Sequence, residues 1–151
     1  MKLNSQDKTE IAQILAEKYF SEMDWKWVNL KKDVNRIFTA YEEIGDQYRE
    51  YPYMSKDWYV ENSATKSIHM CKSWDELKDL VDFLKAYSNN FDFLAMNDRK
   101  MLCIASTEDS LNPQQKNAIS EAKKLRYSIF VFSAKVPEDI EFELMQIGGG
   151  M

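Results

Sequence analysis

The sequence predicts an α/β fold, a mixed sheet flanked by helices, in the order helix, strand, inserted helices, strand, strand, helix, strand. Three observations carry this reading. Segments with apolar residues three and four apart, at 6–22, 33–50 and 74–87, alternate with short runs rich in aromatic and branched residues. The runs "FDFLAM" and "MLCIAS" flank the polar turn "NDRK", a hairpin signal. Finally "LNPQQKNAISEAKKL", a capped helix, leads into "YSIFVFSAKVP", an apolar run dense enough for a central strand covered on both faces.

The elements follow in order. The first helix is expected from Gln6 to Glu22, with Asn4 or Ser5 as cap and Ile11, Ile14, Leu15 and Tyr19 on its inward stripe. "WKWVNL", Trp25 to Leu30, reads as a strand. A second helix fits Asp33 to Glu50, where Val34, Ile37, Phe38, Tyr41, Ile44 and Tyr48 keep helical spacing and Pro52 ends the run. Trp58 to Val60 and Ser67 to Met70 read as short strands. Ser73 and Glu76 form a capping box for a helix that buries Leu77, Leu80, Val81, Leu84 and Tyr87 and stops at Asn89 and Asn90.

After the hairpin, Asn112 caps the next helix, with Pro113 at its first position and Gln115 at its third. Ala118, Ile119, Ala122 and Leu125 should face inward. A last strand is expected over Ile140 to Ile147. The closing "GGGM" reads as a flexible tail, with neither the spacing of a phosphate loop nor a following helix.

Composition bounds the function. A chain of 151 residues suits one domain, 1–147, with a tail at 148–151, and a domain of this size buries roughly two thirds of its surface. Cys71, Cys103 and a single His69 form no cluster, which argues against a structural zinc site or a disulfide framework. No apolar run approaches the ~20 residues of a membrane span, so the chain is expected to be soluble and cytoplasmic. The net charge of -5 argues against strong nonspecific binding to nucleic acid. Phe91 to Lys135 nevertheless carries seven basic and five acidic side chains. That is a weak pointer to an anionic ligand, outweighed by ordinary scatter of surface charge.

Three features of 91–137 resemble the restriction-endonuclease-like core (α-β-β-β-α-β) of the PD-(D/E)XK nucleases, most closely the small archaeal and viral members related to the VRR-NUC group. Asp92 opens the second core strand within "FDFLA". The third strand, "MLCIAST", starts about ten residues later. "SLNPQQKNAISEAKKLRYSIFVFSAKVP" is similar to the family's closing helix and strand. The match is loose over 11–30 and leaves an inserted helical segment, about 31–90, without a counterpart.

The resemblance implies an aspartate and a glutamate from adjacent strands holding Mg²⁺, and a lysine on the same strand face activating water. Alternation puts Cys103 and Ala105 in the glutamate and lysine positions. Mg²⁺ wants oxygen ligands, and a thiol is a poor substitute. The expectation is therefore a catalytically degenerate nuclease-fold protein, leaning away from catalysis without excluding it, and binding DNA or RNA or a partner in DNA processing or defence. Asp92 and Gln115 are its residual site positions, and no cofactor is expected.

Two alternatives stay open. One is an active Mg²⁺-dependent nuclease with relocated acids, in which Asp92 and Glu108 would hold the metal, or Asp109, Glu10 or Glu17 would contribute. The other is a protein-interaction module binding a partner through 41–70, where Tyr48, Tyr51, Tyr53, Trp58 and Tyr59 cluster, without nucleic acid. Lys116, Lys123, Lys124 and Arg126 on the closing helix are the candidate phosphate contacts, although such a face is more often merely solvated. His69 and Cys71, two apart, are a weak thiol–imidazole pair. The resemblance also allows a dimer.

Overall fold

A computed structural model describes residues 1–63, 71–106 and 111–148. It is a mixed α/β arrangement in which a four-stranded sheet carries helices on both faces. Helix α1 (Ser5–Glu22) precedes strand β1 (Lys26–Asn29). Helices α2 (Leu30–Glu50), α3 (Lys56–Glu61) and α4 (Trp74–Tyr87) follow, and a 3₁₀ turn (Ser88–Asn90) leads into β2 (Phe93–Met96). Strand β3 (Lys100–Ser106), helix α5 (Pro113–Lys124) and strand β4 (Ser128–Ser133) complete the order. The strands lie in sequence order, β1–β2–β3–β4, with the first two pairings antiparallel and β3–β4 parallel.

Helix α1 starts where sequence placed it. The Asn4 side chain accepts from the Asp7 N–H at 2.8 Å, and the Asp7 carboxylate accepts from the Asn4 N–H at 3.0 Å. Its buried face differs from the expected stripe: Ala12, Ala16 and Phe20 face the sheet, while Ile14 is 63% exposed and Leu15 and Tyr19 are also exposed. Two alanines let the helix axis approach the strands, and Phe20 then meets Phe93 edge-on at 5.3 Å. Shape at the contact, rather than summed hydrophobicity, chose the face.

Both helices that deliver the chain to the sheet's outer strands end in a Schellman motif. After α1, Trp25 N–H donates to Phe20 C=O and Asp24 N–H to Ser21 C=O, with Asp24 at φ 56°. After α5, Tyr127 N–H donates to Ala122 C=O and Arg126 N–H to Lys123 C=O, with Arg126 at φ 64°. Neither residue is the usual glycine.

Several expectations are corrected. Leu30 begins α2 instead of extending β1, because the Asn29 side chain caps the helix by accepting from Lys31 and Lys32 N–H. Trp58 to Val60 are helical, within α3, capped by Ser55. The Ser67–Met70 strand lies outside the described residues. In α4 the capping box is half made: Ser73 Oγ accepts from Glu76 N–H, but the Glu76 carboxylate accepts from Lys72 N–H, one residue further back.

Among the described residues strand β4 lies at the edge of the sheet, with Phe130 46% and Val131 44% exposed. The buried strand is β3, whose residues Met101 to Ala105 are all covered. An apolar run alone does not separate the two cases. Residues 140–147 form no strand, and nearby pairing is limited to an isolated bridge between Lys2 and Asp139.

The main core lies between the sheet and α2, α4 and α5, and includes Ile37, Ile44, Leu80, Leu84, Leu94, Leu102 and Ala118. A smaller core under α1 joins Ala16, Phe20, Phe93, Cys103 and Ala105. Among the described residues no helix is long and apolar enough to cross a membrane.

Candidate functional site

The smaller core borders the Asp92 carboxylate. Asp92 sits one residue before β2, where its N–H donates to Cys103 C=O and its C=O accepts from Leu30 N–H, both at 2.8 Å. The side chain turns toward α1. Oδ2 accepts from the Ala105 N–H at 2.8 Å, and Oδ1 accepts from Gln13 Nε2 at 3.1 Å. Asp92 is only 8% exposed. Burial pushes its carboxyl above the ordinary range, against the pull of the Ala105 N–H, Lys31 and Gln13.

Cys103 pairs with Phe93 across the hairpin and with Phe130 on β4. Its thiol is buried, and that burial, with the nearby Asp92 charge, pushes it up to about 12 despite a hydrogen bond to the Phe132 backbone. At neutral pH it is an uncharged thiol. Ala105, two residues on, presents a methyl group on the same sheet face, packed in the smaller core. A cleft of about 300 Å³ opens beside it, lined by Ser5, Lys8, Thr9, Ser106 and Glu138. Lys8 there pairs with Glu138.

Gln13 and Asn29 were not singled out from sequence. Asn29 is buried, and while its oxygen caps α2 its Nδ2 donates to Glu17 Oε1 at 3.1 Å. Asn29 had a legible signal, a cap-forming residue at the end of an apolar strand. Gln13 had none beyond lying one helical turn before Glu17. Half-buried Glu17 thus borders the network that holds Asp92, whereas Glu10 is exposed and bonded to Gln6.

Other predicted positions lie elsewhere. Gln115 closes the capping box of α5, accepting from Asn112 N–H at 2.9 Å. Helix α5 packs on the sheet face opposite α1, so Gln115 and Asp92 are not brought together. Lys116, Lys123, Lys124 and Arg126 are exposed along α5 and its end, with Lys124 paired to Glu121 at 2.7 Å. Glu108, Asp109 and His69 lie outside the described residues. Cys71 is a buried thiol, likewise pushed up to about 12 by burial.

The aromatic group divides. Tyr59 is core, its hydroxyl donating to Tyr51 C=O at 2.5 Å, while Tyr51, Tyr53 and Trp58 are exposed. Tyr48 is half-buried and shares the Lys56 ammonium with Trp74.

Asp92, Cys103 and Ala105 by themselves do not fit Mg²⁺. A carboxylate with two of its roughly four acceptor directions in use stands beside a neutral thiol and a methyl. Among the described residues no group of three or more His, Cys, Asp and Glu is placed to hold a metal ion. Asp92 ties α1, β2 and β3 together through a buried carboxylate. No protein-family model, curated protein or solved structure matches the chain.

Proposed function

We propose that this chain is a nuclease-framed binding protein, of the restriction-endonuclease-like type, whose hydrolytic centre has been replaced by packing. It serves as a nucleic-acid-binding factor in DNA processing or defence. The helix, strand, insertion, strand, strand, helix, strand order, with β4 parallel to β3, supports the frame. The single observation carrying the loss of chemistry is the hydrogen bond from Ala105 N–H to Asp92. It stands Cys103 and Ala105 beside that carboxylate, and the family resemblance implies an oxygen ligand and an ammonium at those two positions. Loss of one positioned transition-state donor costs on the order of 100–1000-fold, and here a ligand and a cation are both replaced.

Nucleic acid would meet the exposed cations of α5, Lys116, Lys123, Lys124 and Arg126. Fluorescence anisotropy with short duplexes and single strands, across a salt series, tests this. Binding should weaken as salt rises, because phosphate contacts release counterions. No binding at low salt would shift the reading to a protein partner at Tyr51, Tyr53 and Trp58. A second reading, an active enzyme with a helix-borne acid, rests on Glu17, whose carboxylate the Asn29 amide holds at 3.1 Å on the Asp92 side of the sheet. Under that reading Glu17→Gln abolishes metal-dependent cleavage.

A further inference from the structure

The inserted helices carry a cleft lined by no residue of the Asp92 network. It measures about 520 Å³ and is formed by the second half of α2 and the first residues of α3 and α4. On its lining Tyr41 and Trp74 stack face to face, with centroids 4.7 Å apart and planes at 14°. The Lys56 ammonium lies 4.8 Å from the Trp74 ring and 4.9 Å from the Tyr48 ring, the range of a cation–π contact. Among the described residues no carboxylate pairs with it.

We propose that this cleft is an aromatic cage for a quaternary ammonium ligand, filled by the chain's own Lys56 until the ligand displaces it. Tyr48 and Trp74 already hold a cation between them, and Tyr41 backs the indole. Ring quadrupoles attract either cation, but the two leave water at different cost. A lysine ammonium is compact and strongly hydrated, and over two rings its N–H groups gain no carboxylate. A quaternary ammonium has no N–H to leave unbonded, and its methyl groups bury apolar surface against the rings. The exchange favours the ligand, and Lys56 returns to water.

Two further observations fit a cation with an organic tail. Residues 41–57 carry five acidic and two basic side chains, a balance that suits a cationic guest. Asp46 is shared with Arg49 at 3.4 Å, but Glu42, exposed on the lining, has no ion partner among the described residues. Gly45 shares that lining, inside α2, where glycine is a poor helix former. An added Cβ would meet only Trp74 at 3.7 Å and Arg49 at 4.0 Å, both ordinary contacts. Close packing therefore does not require glycine there. Its missing side chain leaves open the space beside Trp74, where the rest of the ligand would lie. The cage is independent of the nucleic-acid reading.

Choline chloride titrated against the full chain, followed by NMR with sodium chloride holding ionic strength constant, tests it. The Trp74 indole N–H resonance, assigned with Trp74→Phe, should shift saturably, and ammonium chloride should shift it far less. The Lys56 side-chain protons, ring-shifted in the free chain, should move to ordinary positions as choline binds. Lys56→Ala should bind choline about two- to fivefold more tightly, because the internal competitor is gone. Gly45→Leu, which fills the cleft, and Tyr48→Leu, which removes a ring, should keep the wild-type circular dichroism yet lose saturable binding. Absence of saturable binding to Lys56→Ala overturns the proposal. So does choline binding that leaves the Lys56 protons ring-shifted, or that survives Tyr48→Leu undiminished.

Discussion

The Asp92 carboxylate accepts a 2.8 Å hydrogen bond from the backbone N–H of Ala105, and so fastens the start of β2 to the far end of β3. Asp92→Ala leaves that buried N–H without its acceptor, at a cost of about 1–3 kcal/mol. Asp92→Asn keeps an oxygen there and should cost less, as urea unfolding will report. The pH dependence has a definite sign. Burial raises the folded carboxyl above its ordinary 3.8, so the folded chain holds this proton more tightly than the unfolded chain. That contribution is complete below the ordinary value and is lost as pH rises through the raised one. The margin of wild type over Asp92→Asn should therefore narrow from acid toward neutral pH, and a widening margin would contradict the assignment.

Cys71 and Cys103 should resist alkylation in the native chain. Both thiols are pushed up to about 12 by burial. At mildly alkaline pH an ordinary cysteine, with a pKa of about 8.5, is partly ionised and reacts. Mass spectrometry should find both unlabelled until denaturant is added. Rapid native labelling of Cys103 would mean that the smaller core is open.

The orientation of α1 can be tested by a pair of truncations. Phe20→Ala removes a ring stacked on Trp25 and set edge-on against Phe93, and should cost about 3–5 kcal/mol. Ile14→Ala, on the exposed side, should stay within about 0.5 kcal/mol in the single chain. The reverse order would restore the face expected from sequence.

Arg126→Gly separates stability from binding. Arg126 holds a left-handed conformation that costs a side-chain-bearing residue about 1 kcal/mol more than glycine. The variant should unfold at higher denaturant concentration. If Arg126 contacts phosphate, the variant should also bind nucleic acid with a salt slope reduced by about 1.

Much of the frame was legible because local signals and tertiary contacts agreed. Asn112, Pro113 and Gln115 begin α5 as read, and the turn after Met96 joins the hairpin as read. The errors lie where tertiary contacts decide. An apolar run does not say whether a strand has one neighbour or two, so β4 read as central. Hydrophobicity placed Ile14 and Leu15 inward, but the closer fit of Ala12 and Ala16 turned α1 the other way. Residues 140–147 alternate like a strand, yet a strand needs a backbone partner, and sequence does not name one. At the candidate site, strand alternation placed Cys103 and Ala105 on one face, beside Asp92. Gln13 stayed hidden because a lone glutamine on a helix gives no sign of what it reaches.

Replacement of the hydrolytic centre by packing is tested most directly by cleavage. Supercoiled plasmid and single-stranded DNA should be incubated with the full chain and Mg²⁺ or Mn²⁺, alongside Asp92→Ala. Both proteins should leave both substrates intact. Robust metal-dependent cleavage by the wild type that Asp92→Ala abolishes would contradict the account.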